Sequence, residues 1–207
     1  MEEEKQYEGQ LVRRANRGDL DAFGEIVERY RLRVLRTAHG IVGSSDEAED
    51  VAQEVFVKAW QALDSFRPGG SLGSWLYRIT VNAAIDATRR RRPQVNLDDI
   101  APPPSEHYTE RSVLDAEEAE RVRRAVRHLP PASRAALVLR EYEQLSYAEI
   151  AEVLDVPPGT VRSRIARGRR LLARQLEPPA SAGNQAHPPD RPSTTAPEPP
   201  TPPQMAP

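Results

Sequence analysis

The sequence predicts an all-α protein with two small helical domains, an acidic linker between them and a proline-rich tail. Apolar residues recur at three- and four-residue spacing from Leu11 to Arg92 and again from about Ala116 to Leu176. No alternating run of β-branched residues suggests a sheet. The periodicity disappears between these blocks, where Pro102-Pro-Pro104 lies among acidic residues, so this stretch is predicted to be an extended linker.

These patterns divide the chain into five predicted segments. They are an acidic N-terminal segment (1–10), the first domain (11–92), the linker (93–118), the second domain (119–176) and the tail (177–207). From Pro178 onward the tail holds 11 of the chain's 20 prolines and no aromatic residue, which predicts disorder. In the first domain, helices are expected from about Asp19, from Ser45 to Leu63 and from Ser74 to Arg90.

Charge is distributed in blocks that the overall net charge of −2 conceals. The net charge is +3 over 11–92, −6 over 93–118 and +6 over 119–176. Such asymmetry often accompanies nucleic-acid binding. The chain has no cysteine and no apolar run near the ~20 residues that a membrane span needs, and its acidic start is unlike a signal peptide. A cytoplasmic protein without membrane insertion is therefore expected.

The stretch from Leu145 to Arg170 predicts a helix-turn-helix. Ser146 and Glu149 have the spacing of a capping box, in which each side chain satisfies a backbone N–H at the start of a helix. Asp155 is predicted to end that helix, and Pro158 suits the first position of the next one.

The second helix of this motif has one packing face and one cationic face. Val161, Ile165, Gly168 and Leu172 share a side at 100° per residue. The opposite side and its flanks carry Thr160, Arg162, Ser163, Arg164, Ala166, Arg167, Arg169, Arg170 and Arg174. Six arginines and no acidic residue lie between Pro158 and Leu176, so ion pairs within the helix cannot explain them. Binding in a DNA major groove is favoured over a merely solvated arginine face.

The first domain contains an acidic helix face and a basic one. Opposite its apolar stripe, the helix from Ser45 to Leu63 presents Asp46, Glu47, Asp50, Gln53 and Glu54. Alone, such a face is usually only solvated. In the next helix, Arg78, Asn82, Ile85 and Arg89 share a face that the run Arg89–Arg92 closes. This face suits contacts with nucleic acid, although a basic helix end also complements the helix dipole.

Four motifs follow one another along the chain. They are Asp50-Val-Ala-Gln-Glu-Val-Phe-Val-Lys-Ala-Trp60, Ser74-Trp-Leu-Tyr-Arg-Ile-Thr-Val-Asn82, Leu129-Pro-Pro131 and Gly159-Thr-Val-Arg-Ser-Arg-Ile165. In this order they resemble regions 2 and 4 of the extracytoplasmic-function (ECF) sigma factors of bacterial RNA polymerase. The resemblance covers roughly 11–92 and 119–176.

The resemblance implies an alternative sigma factor that binds core RNA polymerase and directs promoter-specific transcription initiation. Docking on the clamp helices of the polymerase's largest subunit is implied for Asp50, Gln53 and Glu54. Contact with the opened −10 strand, beside the loop 64–74, is implied for Arg78, Asn82 and Arg89. Contact with the −35 duplex is implied for Thr160, Arg162, Ser163, Arg164 and Arg167, with Arg164 on phosphate. The linker would thread the polymerase cleft, and the family commonly has an anti-sigma factor as a further partner.

Three positions depart from the family pattern. Leu72 stands where many relatives have an aromatic residue, which argues against base stacking there. Ala166 replaces a larger residue of some recognition helices. Gly168 lies mid-helix where many relatives carry alanine, at about 1 kcal/mol in helix propensity.

No enzyme, cofactor, catalytic residue or metal site is expected. The histidines His39, His107, His128 and His187 form no ligand pair at helical spacing, and the loop Gly69–Gly73 lacks the lysine of a phosphate-binding loop. Two other functions remain open. A stand-alone helix-turn-helix regulator would leave the motifs of the first domain unexplained, and a helical protein-binding adaptor would leave the arginines of the second domain unexplained.

Overall fold

A computed structural model describes residues 2–67, 69–90 and 110–177, with side chains described from residue 3 and, after the second gap, from residue 118. These ranges contain helices and no strand, which confirms the all-α class. The helices are α1 (Glu2–Ala15), α2 (Leu20–Val42), α3 (Ser45–Gln61), α4 (Leu72–Arg90), α5 (Glu110–Arg127), α6 (Pro131–Glu141), α7 (Tyr147–Leu154) and α8 (Pro158–Leu176), with a 3-10 turn at Leu63–Ser65. The predicted tail and the linker before Glu110 lie outside the described residues.

Helix α2 is fixed at both ends by its sequence. At its start, the Asp19 side chain accepts hydrogen bonds from the Ala22 backbone N–H at 3.0 Å and from Arg14 at 2.8 Å. These bonds hold the pKa of Asp19 below its usual range. At its end, Gly43 adopts a left-handed conformation with φ of 80°, and its N–H bonds to the carbonyl of His39. The predicted start at Asp19 is therefore confirmed as an N-cap.

Helices α1–α4 form the N-terminal helical group, in which α1, α3 and α4 pack around α2. The buried side chains that join them include Leu11, Ile26, Val34, Val55 and Leu76. The Phe23 and Trp60 rings meet edge to face, 4.9 Å between centroids, and connect α2 to the end of α3. Helix α1 extends back to Glu2, where no helix was predicted. The packing of its last turns against α2 gives a nucleus from which one hydrogen bond per residue extends the helix.

Helices α5–α8 form the C-terminal helical group, and its helix-turn-helix is built as predicted. Both bonds of the capping box are present, at 2.7 Å from the Ser146 N–H to the Glu149 carboxylate and 3.2 Å from the Glu149 N–H to the Ser146 hydroxyl. Asp155 ends α7 in a left-handed conformation with φ of 51°. Pro158 begins α8, whose Val161 and Ile165 are fully buried.

Gly168 has a packing role that the sequence did not reveal. A Cβ added there would lie 2.5 Å from Cδ1 of Leu137 and 3.6 Å from Cβ of Ser133. The loss of helix propensity at this position therefore accompanies a close approach of α8 to α6, which a side chain would prevent.

Two boundaries differ from the prediction. Helix α4 begins at Leu72 rather than Ser74, and Leu72 is fully buried, so it is not placed to stack on a base. Helix α5 begins at Glu110, inside the segment predicted as linker. Its later residues pack against α8 and α2, and this tertiary contact sustains a helix whose own apolar periodicity is weak.

Candidate nucleic-acid interface

The outer face of α8 is a row of polar and cationic side chains above the buried Val161 and Ile165. Arg162, Ser163 and Arg167 are exposed, whereas Thr160 and Arg164 are half-buried. The Ser163 hydroxyl donates to the Thr160 carbonyl at 2.9 Å, which ties the first turn together. All five predicted −35 residues therefore lie on one helix, within about two turns.

Most arginines of this face have no acidic partner within the fold. Among residues whose side chains are described, Arg162, Arg164 and Arg167 form no ion pair, whereas Arg169 pairs with Glu141 of α6 at 2.7 Å. That partner also raises the pKa of Arg169. The charges of the other three are available to phosphates or guanine edges.

Helix α4 places the predicted −10 residues on a second exposed face. Asn82 and Arg89 are exposed, and Arg89 lies 3.6 Å from Asp86 one turn earlier. Arg78 is exposed as well, but its Nη2 donates to the backbone carbonyl of Glu152 in α7 at 2.8 Å. The structure thus brings the three residues to one helix and shows that one of them already has a partner.

The loop before α4 supports this face. Phe66 and Trp75 pack edge to face with centroids 5.7 Å apart, so Trp75 is half-buried against the loop. Gly69 has a φ of 85°, a left-handed conformation that other residues rarely adopt. The Ser71 hydroxyl accepts from the Ser74 N–H at 3.2 Å at the start of the helix.

The acidic face of α3 differs along its length. Asp50 and Gln53 are exposed and form no ion pair or side-chain hydrogen bond with any described residue. Glu54 instead pairs with Lys58 at 2.7 Å and Arg90 at 3.5 Å, and the bond to Lys58 first holds its pKa below the usual range. Asp50 is therefore the available carboxylate of the predicted docking residues, whereas Glu54 also serves the fold.

An apolar residue belongs to the same face and was missed in the sequence. Val57 is 56 % exposed and lies four residues after Gln53 and seven after Asp50, on one side of α3. An exposed apolar side chain beside carboxylates is more typical of a protein interface than of a solvated face. Its position outside the apolar stripe of α3 was the available signal.

The described residues contain no cluster of His, Asp and Glu that could hold a metal ion. None of the helices in those ranges is long and apolar enough to cross a membrane.

Comparisons with known proteins agree with this arrangement. The sequence matches Sigma-70 region 2 at residues 26–94 and Sigma-70, region 4 at residues 119–172. The RNA polymerase sigma-H factor of Pseudomonas aeruginosa is 40% identical over 185 residues, which cover 84% of this chain and 96% of that protein. The ECF RNA polymerase sigma-E factor of Escherichia coli K12 is 40% identical over 182 residues, 81% of this chain and 93% of that protein.

A solved structure is also similar. The sigma factor RpoE from Bartonella quintana, in complex with the anti-sigma factor NepR, superposes with a TM-score of 0.60 at 25% identity. The match covers 74% of this chain and 96% of that one. It extends over both helical groups rather than one alone.

Proposed function

The chain belongs to the ECF family of RNA polymerase sigma factors, and we propose that it directs initiation through three separate surfaces. Helix α8 contacts the −35 duplex, α4 contacts the opened −10 strand, and α3 docks on core polymerase. The first surface lies in the domain 119–176 and the other two in the domain 11–92. The protein acts in the cytoplasm and has no catalytic role of its own.

The arginine face of α8 carries this proposal. Its packing face is buried against α6 while Arg162 and Arg167 remain exposed, without an acidic partner among the described residues. A helix with this division fits the major groove, where arginine can pair with guanine edges and, at a half-buried position such as Arg164, with phosphate. Thr160 and Ser163 supply neutral hydrogen-bonding groups at the start of the same helix.

The face of α4 suits an unpaired strand rather than a duplex. Asn82 can donate and accept hydrogen bonds with a base edge, and Arg78 and Arg89 flank it with positive charge for the backbone. The loop before α4 lies next to this face, where it could enclose a flipped base.

The exposed face of α3 is proposed to meet the clamp helices of the polymerase's largest subunit. Asp50 and Gln53 provide polar contacts and Val57 an apolar one. The similarity to RpoE, whose structure contains an anti-sigma factor, supports an anti-sigma partner for this chain as well.

Gel-shift and transcription assays with purified core polymerase test the proposal. We expect no specific promoter shift by the protein alone, a shift with core polymerase, and transcripts that start at one promoter class. A specific shift without core would favour a stand-alone regulator, and no shift under either condition would favour a protein-binding adaptor.

A further inference from the structure

The two helical groups are in direct contact, although the sequence predicts separate domains. Helices α2 and α4 of the N-terminal group pack against α6 and α7 of the C-terminal group. Buried apolar residues of both groups belong to one continuous core. The polar side chains at this boundary indicate what holds the groups together.

Glu143 is the central polar residue of this boundary. Its side chain is 2 % exposed, yet its carboxylate accepts hydrogen bonds from Tyr77 at 2.6 Å, from Arg36 at 2.9 and 3.0 Å and from Thr37 at 3.2 Å. All of these donors belong to α2 and α4, across the boundary. Burial and the neighbouring carboxylate raise the pKa of Tyr77, so its phenol keeps the proton that it donates. A buried carboxylate needs such partners, and Glu143 finds them only in the other group.

Two arginines of the C-terminal group make a second tie, at the end of α2. Arg134 donates to the carbonyl of Ile41, and Arg127 donates to the carbonyl of Gly43 at 3.0 Å. Carbonyls at the C-terminal end of a helix lack intrahelical partners and carry partial negative charge, so they attract guanidinium groups.

Glycines permit this close approach. A Cβ at Gly40 would lie 2.9 Å from a methyl carbon of Val138, and one at Gly43 would lie 2.4 Å from Cδ of Arg127. Side chains at these positions would push α2 away from the C-terminal group. The contact is thus built from a buried carboxylate cluster, a helix-end clamp and a glycine-lined approach.

The contact is incompatible with reading two promoter elements at once. Helix α4, 19 residues long, extends about 28 Å and directly touches α7, the partner of α8 in the helix-turn-helix. Two turns of duplex, which separate the −10 and −35 elements, span ~70 Å. In addition, Arg78, which we assign to the −10 strand, is bound to the Glu152 carbonyl of α7.

We propose that this interface is a latch: the free protein is closed by the Glu143 cluster, and binding to polymerase and promoter opens it. The inference rests on the proposed function for the need to open, whereas the closed state is a property of the free chain. Loss of the Glu143 carboxylate leaves Tyr77 and Thr37 without their acceptor in the closed form only, since water reaches them after opening. Glu143→Ala therefore shifts the equilibrium toward the open form.

The test uses single-molecule energy transfer on the full chain, which has no native cysteine. Dyes are attached at Glu28→Cys in α2 and Gln175→Cys in α8, both exposed positions. We expect one short distance for the free protein and a long distance when core polymerase and promoter are bound. Glu143→Ala should raise the open-to-closed ratio of the free protein about tenfold or more, because several charge-assisted bonds are lost.

Glu141→Ala is the matched control. It removes the same side chain two residues earlier, from a glutamate whose partner Arg169 belongs to its own group. Tyr77→Phe, which deletes one donor, should give a smaller shift in the same direction and covers the case in which Glu143→Ala loses helical circular dichroism.

The outcomes separate the latch from the proposed function. An extended free wild-type protein, or a distribution that neither Glu143→Ala nor Tyr77→Phe changes, would overturn the latch whatever the transcription assay gives. A short distance that persists in an active promoter complex would overturn it as well. A closed free protein that opens in both variants but never binds core polymerase would support the closed state and reject the proposed function.

Discussion

Arginine plays opposite roles in two regions of this molecule. On α8, Arg162 and Arg167 point away from the fold and have no acidic partner among the described residues. At the boundary between the helical groups, Arg36, Arg127 and Arg134 are engaged by a carboxylate or by backbone carbonyls. Both regions are basic in sequence, but only the first leaves its hydrogen-bonding capacity unused.

This difference gives a criterion for separating binding charges from structural ones. A charge whose partners lie within the fold should change stability or conformation when it is removed, and should change binding little. A charge without an internal partner should do the reverse, because exposed substitutions usually alter stability by less than about 0.5 kcal/mol. The following substitutions test that criterion, beginning with the largest effect.

Charge reversal at Asp50 should nearly abolish polymerase binding. Asp50 has no ion-pair partner among the described residues, unlike Glu54 on the same helix. Asp50→Arg would place a cation against a surface that accepts an anion, which costs several kcal/mol and lowers affinity roughly a hundredfold. Titration of labelled protein with core polymerase measures the loss, while circular dichroism should stay unchanged.

Glu28→Arg supplies the control for this reversal. It makes the same change of charge at an exposed position of α2, away from the α3 face. An equal loss of affinity in both variants would indicate a general charge effect, and retained affinity in Asp50→Arg would show that the docking face lies elsewhere.

The two kinds of arginine on α8 provide the next test. Arg167→Ala should weaken the promoter complex by about 1–3 kcal/mol if the side chain reads a base, with loss of preference at one position. A phosphate contact would instead lower the salt slope by about one unit at every sequence. Arg169→Ala removes an arginine from the same helix that is paired with Glu141, so it should affect promoter affinity less. Equal effects on promoter affinity in the two variants would break the criterion.

Local features of the fold were predictable because their signals lie within a few residues. The capping box of Ser146 and Glu149, the helix end at Asp155 and the alternation of buried and exposed sides on α8 depend on neighbours in sequence. The motifs that matched the ECF family are equally local. For the same reason, the helical nature of both groups and the exposed site residues could be predicted.

Contacts between distant segments could not be predicted in this way. Glu143 looks like a solvated residue in a short polar connection, yet its donors are 66 to 107 residues away in the chain. Gly168 suggests only lost helix propensity until Leu137 is placed against it. Likewise, Arg134 lies in an alanine-rich helix, and its target at the end of α2 follows only from tertiary packing.

Asn82→Ala should act at a later step than Arg167→Ala. Asn82 is exposed on α4 and lies apart from the duplex-facing surface of α8, so affinity for the closed complex should stay nearly unchanged. Loss of one hydrogen bond to the strand, about 1 kcal/mol, should reduce opening roughly fivefold. Permanganate reactivity of thymines in the −10 element measures this step, and a pre-melted bubble should partly restore activity. The same defect at the same step in both variants would favour a single duplex-binding surface.

The smallest effect is expected at Glu149, a carboxylate whose partners are entirely local. Hydrogen bonds from the side chain and backbone of Ser146 hold the pKa of Glu149 below its usual range. Its stabilisation is therefore fully present above the unfolded pKa of about 4.3 and is lost as pH falls through the lower folded value. Because the site is exposed and water screens it, the contribution should be below about 1 kcal/mol.

Glu149→Gln isolates that contribution, since glutamine can keep the capping bond without titrating. Thermal unfolding of both proteins from pH 7 to pH 3 should show a small deficit of the variant at neutral pH that disappears in acid. Taking the difference between the two proteins removes the titration of the other carboxylates. Promoter affinity at neutral pH should be equal, because this charge is satisfied within the fold. A deficit that is constant with pH would mean that packing, and not the carboxylate's charge, sets the value of the cap. A loss of promoter affinity without a loss of stability would instead place Glu149 among the binding charges, against the criterion drawn from the arginines.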